Sequence, residues 1–271
     1  MTDAHYIRDV QYRDDSRLAA RQSIYAFQRP HISLWASTLE LAMLRGNESV
    51  LDVGCGNGSY LGALHRDGHT GEVFGMDMSE GMLRAAHGRA PDAVLLVGDA
   101  QSLPFPDRAF DRLLATHMLY HVPDRARAIS EFGRVLRPDG TALITTNSVE
   151  HLRELDDLVS EAARSVADID VRPLQRSMQK FSIESAPPEL ETLFSSIELH
   201  RFDSQLFVPE VEPIIAYVLS MRALLVAARE QVDAVIARIR DDAARIIKRE
   251  GALKVRTRVG CFVCRADRAT Q

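Results

Sequence analysis

Three alternating glycines follow an apolar run in the segment VLDVGCGNGS. They are Gly54, Gly56 and Gly58, and Asp52 lies two residues before the first of them. Glycine lets a ligand approach the backbone closely, although a purely structural tight turn could have the same composition. The dinucleotide-binding pattern G-x-G-x-x-G would need its third glycine at Ser59, and no Gly-Lys-Ser/Thr follows to make a P-loop. The loop therefore predicts a small-ligand site of neither type.

Two more acids end apolar runs that we expect to be neighbouring strands. Asp77 ends the second run and Asp99 ends the third. A carboxylate at the end of the second strand can accept hydrogen bonds from both ribose hydroxyls, as it does in dinucleotide sites. Asp99 could receive an adenine amino group while the Ala100 amide meets the ring, and Asp52 could pair with a cationic amino group. S-adenosylmethionine is a ligand that combines an adenosine with a free amino-acid end and has no phosphate. The three acids therefore indicate S-adenosylmethionine.

Two histidines, His117 and His121, follow the fourth apolar run, where the acceptor of a transferred group should lie. Histidine is the usual side chain that acts as a base near neutral pH. For His121, a structural role in holding the loop before Pro123 is an equally open interpretation. The adjacent Tyr120 could contact substrate, but a packed aromatic is the simpler explanation.

The N-terminal segment combines tyrosines with arginines. Tyr12 and Tyr25 could exclude water from a pocket, and a tyrosine face such as that of Tyr25 can stabilise a sulfonium or carbocation by cation–π contact. Arg17 and Arg21 are four residues apart on one helix face and could bind a carboxylate or diphosphate. A solvated face that pairs with the acids at 14–15 is the plainer explanation.

The elements that must position these residues alternate between strand and helix. Parallel pairing with right-handed crossovers follows from that rhythm, which predicts a doubly wound α/β sheet. We expect Ser59 and Ser79 to cap the helices after the first two strands, and the helix after the fourth strand to end at the PDG segment, 138–140. The predicted strands are 49–54, 72–79, 93–100, 110–119, 141–147 and 195–208, with 253–266 as a last strand or hairpin.

The flanking segments are predicted to be helical and to cover the sheet. Residues 1–45 would form an N-terminal helical lid and residues 46–147 the ligand-binding core. Residues 148–271 would complete the sheet, with helical cap segments at about 148–180 and 210–250 over its carboxyl edge.

The bulk composition is that of an ordinary soluble protein and excludes several classes. The 271 residues carry a net charge of −5, which gives no electrostatic case for nucleic acid or an acidic membrane. The chain has no apolar run long enough to span a bilayer and no signal-peptide pattern, so we expect a cytoplasmic protein. Cys261 and Cys264 should point to opposite faces of a strand, and without a second Cys/His pair we expect no metal site.

Four segments resemble the successive motifs of class I S-adenosylmethionine-dependent methyltransferases. They are VLDVGCGNG, VFGMDMSEGML, GDAQSLPFPDRAFDRLLATHMLYHVPD and FGRVLRPDGTALITTNS. The likeness is to the small-molecule branch that includes ubiquinone/menaquinone-type and actinobacterial natural-product enzymes. It implies a Rossmann-like sheet of seven strands with an antiparallel last strand. It also implies that the cofactor contacts are Asp52, Gly54, Gly56, Asp77, Met78, Asp99, Ala100 and His117, with Asn57 where the family usually has Thr or Ser.

We therefore expect methyl transfer to a small, largely apolar metabolite. His121 is the first candidate for a base in this reaction. The histidines favour O- or N-methylation, whereas the N-terminal aromatics keep open C-methylation of a prenyl or terpenoid substrate through a cation. Other classes are a nucleic-acid methyltransferase, a dinucleotide-dependent oxidoreductase and a non-catalytic binding protein. Beyond the small molecule we expect no nucleic-acid or membrane partner, and association of copies through N-terminal or cap helices is an open alternative.

Overall fold

The computed structural model describes residues 15–168, 180–220 and 229–265. Tyr12, the start of the predicted lid and parts of both predicted cap segments lie outside these residues. The division of the chain into lid, core and cap stays a prediction.

One mixed sheet organises the described residues. In space its strands run in the order β1-β7-β8-β6-β5-β2-β3-β4. Strands β2 to β6 pair in parallel, whereas β8 is antiparallel to both β6 and β7. The doubly wound sheet and its antiparallel last strand are thus confirmed, and a two-residue β1 raises the expected seven strands to eight. The strands are β1 Gln28–Arg29, β2 Val50–Val53, β3 Val73–Asp77, β4 Val94–Val97, β5 Phe110–Thr116, β6 Leu136–Asn147, β7 Ser196–Val208 and β8 Leu253–Arg265.

Helices connect the strands and flank the sheet. Among the described residues, none of them is both long and apolar enough to cross a membrane. Short 3₁₀ helices at Ile24–Phe27 and Leu119–His121 add to the set. The α-helices are α1 Ser16–Ser23, α2 Leu34–Leu41, α3 Ser59–Arg66, α4 Glu80–Arg89, α5 Arg125–Val135, α6 Arg153–Ala167, α7 Pro187–Leu190, α8 Val211–Ser220 and α9 Arg229–Glu250.

Local chemistry explains one of the two predicted helix caps and corrects the other. The Ser79 hydroxyl accepts a hydrogen bond from the Met82 amide at 3.2 Å, so the cap of α4 is confirmed. The predicted cap by Ser59 is wrong. Gly58 holds the cap position of α3 with φ +75°, and Ser59, already helical, donates its hydroxyl to Asn57 Oδ1.

The predicted end of α5 at residues 138–140 is also wrong. The helix ends at Val135 and β6 begins at once with Leu136, so the PDG segment lies inside the strand. Its turn residues are accommodated by an irregular register, because Phe110 pairs with Leu136 while Arg112 pairs with Thr141. The segment thus inserts extra residues into β6, which is the effect of a β-bulge.

The central strands of the sheet are buried on both faces, as their apolar residues require. On one face α5 packs Phe132 against Phe110, and on the other α2 and α3 pack against Leu114. Cys264 belongs to the first cluster and Cys261 to the second, which is the strand alternation predicted from their spacing. Both thiols are free and buried.

Strands β7 and β8 continue well past the carboxyl ends of the parallel strands. Asn147, the last residue of β6, pairs with Val259, so residues 253–258 of β8 and 203–208 of β7 extend beyond it. At about 3.4 Å per residue the overshoot is roughly 20 Å long. We call it the β7–β8 extension.

Helices and the N-terminal segment pack on this extension. An apolar cluster joins α6, α8 and α9 to it, and Ile24 belongs to the same cluster. Strand β1 pairs with β7 through Gln28 and Leu206, and the Gln28 amide donates to Thr257 Oγ1 at 3.2 Å. The extension therefore supports a wall at the carboxyl edge of the sheet, where open α/β sheets bind ligands.

We predict that the substitution Phe132→Ala lowers the free energy of unfolding by about 3–5 kcal/mol, because it leaves a cavity in the core. Phe132 is fully buried, whereas Phe207 on β7 is 38% exposed. Phe207→Ala is the matched control, with an expected loss of about 1 kcal/mol or less. Chemical denaturation of both variants is the measurement, and equal losses would contradict the assignment of the core.

Candidate functional site

A cavity of about 730 Å³ lies at the carboxyl edge of the sheet. Its floor is formed by the ends of β2, β3 and β5 and the loops that follow them, and α1 and the start of α6 contribute to its walls. The volume is within the range of small-molecule sites. Most of the predicted site residues line this cavity: Gly54, Gly56, Asn57, Asp77, Met78, Asp99, Ala100, His117, Tyr120, His121, Arg21 and Tyr25.

The glycine loop has a backbone that side chains would obstruct. Gly54 has φ +69°, and a Cβ there would lie 2.8 Å from Met118 Cβ. Gly58 has φ +75°, and a Cβ there would lie 2.7 Å from Ala86 in α4. The loop can therefore keep both its left-handed conformation and its close packing only with glycine at these positions.

Asp77 closes the loop from the end of β3. Its Oδ2 accepts the Gly56 N–H at 2.9 Å and its Oδ1 accepts the Ser79 N–H at 2.9 Å. Each carboxylate oxygen keeps capacity for another donor, such as a ribose hydroxyl. Burial raises the pKa of Asp77, and the backbone N–H donors oppose that rise.

Asp52 is a buried carboxylate without a hydrogen-bond partner among the described residues. It is fully buried in β2, and neither of its oxygens has a donor. Burial, with a contribution from Asp77, raises the pKa of Asp52 to about 8. A buried acid in this state is stabilised by a nearby cation and destabilised by an anion. It therefore fits the cationic S-adenosylmethionine better than a pyrophosphate-bearing dinucleotide, although Asp52 itself does not line the cavity.

Asp99 and Ala100 lie at the end of the cavity beyond β4. Asp99 accepts hydrogen bonds from the Gln101 backbone amide at 2.9 Å and from the Gln101 side-chain amide at 2.9 and 3.0 Å. The side-chain carbonyl of Gln101 in turn accepts a hydrogen bond from the Asp124 backbone N–H. Gln101 thus fixes the orientation of Asp99, a contact for which the sequence offered no signal.

The N-terminal helix covers the glycine loop. Leu18 Cδ2 would be 3.9 Å from a Cβ built at Gly56. Arg89 of α4 joins the two segments, since it donates to the Asn57 carbonyl at 2.5 Å and lies 3.5 Å from Asp15. Arg17, predicted to bind substrate, is not among the residues that line the cavity.

His117 is held in a strained backbone conformation. Its φ is +53°, which is uncommon outside glycine, and its N–H donates to the Thr145 carbonyl at 3.0 Å. Such outliers persist only where the surroundings fix them, and they cluster at functional sites. Burial lowers the pKa of His117 to about 4, so the imidazole is neutral near pH 7. His121 lines the same cavity and its ring stacks edge-on against Tyr120.

His151 lines the cavity and was missed by the sequence analysis. Its Nε2 is 2.9 Å from the Tyr25 hydroxyl, and its Nδ1 accepts the Arg258 N–H at 2.9 Å. Burial is the main reason that its pKa falls to about 3, and His117 contributes. His151 belongs to no motif, and its partners are 126 and 107 residues away, so only the assembled fold identifies it.

Comparison with known proteins agrees with this geometry. The family model for the methyltransferase domain matches residues 51–144. A curated relative, the ubiquinone/menaquinone biosynthesis C-methyltransferase UbiE of Bordetella parapertussis, is 39% identical over 114 residues. That alignment covers 40% of this chain and 44% of the relative, so the chain spans less than half the length of the relative it matches.

Solved structures share the fold over most of the chain. Protein BH2331 of Bacillus halodurans is 22% identical with a TM-score of 0.60, over 87% of this chain and 100% of that one. The cyclase SpnF is 19% identical with a TM-score of 0.53, over 86% of this chain and 80% of that one. Residues 51–144 thus match a methyltransferase domain, and they lie in the Rossmann-like sheet that the solved structures share.

We predict that His117 and His151 stay neutral from pH 5.5 to 8, because burial holds their pKa values at about 4 and 3, below the ordinary 6.5. The unfolded chain binds more protons below pH 6.5, so both residues make the fold more stable as the pH rises from about 4 to 6.5. Imidazole ¹⁵N NMR is the measurement, with signals assigned through His117→Gln and His151→Gln. Titration of either ring near pH 6.5 would contradict its buried, neutral state.

We predict that Asp52 makes the protein without ligand less stable as the pH rises from 6 to 8. The native state keeps a proton up to a pKa of about 8, whereas the unfolded state has lost it, so the free energy of unfolding should fall by about 2 kcal/mol. Asp52→Asn should remove this contribution, and the exposed Asp203→Asn should retain it. Chemical denaturation at both pH values decides, and an unchanged slope in Asp52→Asn would refute the raised pKa.

Proposed function

We propose that this chain transfers the methyl group of S-adenosylmethionine to a small, largely apolar molecule. The observation that carries the proposal is a single cavity that joins two unlike ends. One end has the glycine loop with Asp77. The other has Tyr25 from the N-terminal segment, histidines and a tyrosine from the segment after β5, and His151 after β6. A donor and an acceptor can therefore lie side by side in one cavity.

The residues at the loop end suit each part of the cofactor. Asp77 would hold the ribose hydroxyls, Asp99 and Ala100 the adenine, and Gly54 and Gly56 the amino-acid end. Asp52 is a buried acid whose ionisation a bound cation would favour. When bound, S-adenosylmethionine supplies a methyl group already activated by its sulfonium. The protein then contributes mainly alignment, which is worth up to about 7–11 kcal/mol.

The acceptor end supports proximity and proton handling rather than recognition of a large polymer. His117 is neutral near pH 7 and can accept a proton, although its low pKa makes it a weak base, so His121 stays the first candidate for that role. The family match ends at residue 144, before His151. The substrate named for UbiE therefore does not carry over by similarity, and SpnF shares the fold although it is named a cyclase.

C-methylation through a cation is a second candidate, and one observation favours it. Tyr25, Tyr120 and Tyr217 all line the cavity, and burial raises the pKa of Tyr217 well above its ordinary value, so its hydroxyl is neutral. Aromatic faces around a reaction centre stabilise a carbocation by cation–π contact. The name of the UbiE relative, a C-methyltransferase, is compatible with carbon as the acceptor atom.

We predict that S-adenosylhomocysteine binds with micromolar affinity and that Asp77→Ala weakens this binding at least about tenfold, because the ribose loses a charged hydrogen-bond acceptor. Isothermal titration calorimetry with NADH in parallel is the measurement. Asp203→Ala, an exposed acid on β7, is the matched control and should bind normally. Preferential binding of NADH, or no binding of S-adenosylhomocysteine, would overturn the proposal. A screen of small acceptors with the wild type then tests turnover.

A further inference from the structure

The contacts of His151 fix which of its nitrogens carries the proton. The Arg258 backbone N–H can only donate, so Nδ1 must offer its lone pair to that bond at 2.9 Å. The neutral imidazole therefore carries its proton on Nε2. Because Nε2 is 2.9 Å from the Tyr25 hydroxyl, the Nε2–H donates and the Tyr25 oxygen accepts.

This arrangement leaves His151 unable to act as a base and leaves Tyr25 with a proton to donate. One ring nitrogen of His151 is engaged by the backbone and the other already carries hydrogen. Among the described residues, the Tyr25 hydroxyl forms its hydrogen bond with His151. Both side chains line the cavity, so the Tyr25 O–H is available to a molecule bound there.

The groups that face Tyr25 keep it protonated. Burial raises the pKa of Tyr25 well above its ordinary value, and Arg21 of α1 opposes that rise only in part. Asp156 of α6 and Tyr217 of α8 lie on the same side of the cavity, and His117 is neutral. Tyr25 is therefore a donor throughout the physiological range of pH.

We propose that Tyr25, oriented by His151, donates a hydrogen bond to an acceptor oxygen that becomes negatively charged when the nucleophile forms. The acceptor is then a phenol or enol, and it is methylated at that oxygen or at the carbon next to the one that bears the oxygen. In the second case that carbon afterwards loses its own proton to solvent, which restores the phenol or enol. The O–H bond of the acceptor breaks, its proton leaves to solvent, and the oxyanion remains against the Tyr25 O–H. A fixed donor aimed at developing charge in a largely apolar cavity is an effective stabiliser. Tyr25 is a catalytic residue in this scheme and His151 a positioning residue.

The inference rests on the proposed function, and a chromophoric phenol tests the two separately. With S-adenosylhomocysteine present, 4-nitrophenol is titrated against the protein, and its phenolate absorbance is followed with pH. In the wild type we expect the pKa of bound 4-nitrophenol to lie below that of the free phenol. Tyr25→Phe should abolish this shift and weaken phenolate binding about 10- to 100-fold, the size of a charge-assisted hydrogen bond.

Two further variants separate the donor from general packing. Tyr217→Phe removes a neighbouring hydroxyl from the same cavity and should leave the pKa of the bound phenol unchanged. His151→Leu removes the Nε2–H and should reduce the shift, whereas His151→Gln, which can still donate an amide N–H to the Tyr25 oxygen, should restore part of it. Circular dichroism and calorimetric binding of S-adenosylhomocysteine confirm that each variant is folded.

The outcomes distinguish the two proposals. If the wild type does not bind S-adenosylhomocysteine, the proposed function fails. If it does bind, and 4-nitrophenol either does not bind or shows the same pKa in wild type and Tyr25→Phe, the proposed function stands and the role of Tyr25 is refuted. A shift lost in Tyr25→Phe and kept in Tyr217→Phe supports it.

Discussion

The turn at the end of β2 is the constraint on which the site depends. Because Gly54 and Gly58 adopt left-handed conformations, β2 can end against Met118 while α3 starts against Ala86. The same turn brings the Gly56 N–H to Asp77, and Asp77 is close enough to Asp52 to contribute to its raised pKa. Burial raises the pKa of both acids, which is a cost to the fold that a bound cation would relieve. The loop is therefore built for a positively charged ligand, at the expense of stability without it.

The acceptor end depends on a different element, the β7–β8 extension. Arg258 belongs to the part of β8 that runs past β6, and its backbone orients His151 from there. Tyr25 reaches His151 from the N-terminal segment, which β1 attaches to β7. Three segments that are distant in sequence thus meet at the Tyr25–His151 pair. The β7–β8 extension sets how these segments are positioned. Loop geometry governs the cofactor end, whereas sheet geometry governs the acceptor end.

Sequence patterns anticipated what is local and missed what is not. The glycine loop and the acids Asp77 and Asp99 were predictable because strand ends in a parallel sheet share one edge, and each residue sits within a few positions of its strand. The cap by Ser59 failed because positive φ at Gly58 starts α3 one residue earlier. His151 could not be predicted, since its hydrogen-bond partners, a backbone donor and a tyrosine, come from opposite ends of the chain.

The two ends of the cavity also differ in the ionisable groups that they hold, and this difference suits methyl transfer. The loop end holds buried acids, whereas His117, His151 and Tyr25 are neutral near pH 7 because burial shifts their pKa values away from it. Transfer of a methyl cation equivalent to an anionic nucleophile removes two opposite charges at once. Opposite charges attract more strongly where the surroundings are less polar than water. Neutral donors that orient an oxyanion without fully neutralising it preserve that attraction, whereas an arginine or lysine at the position of Tyr25 would weaken the nucleophile that it holds.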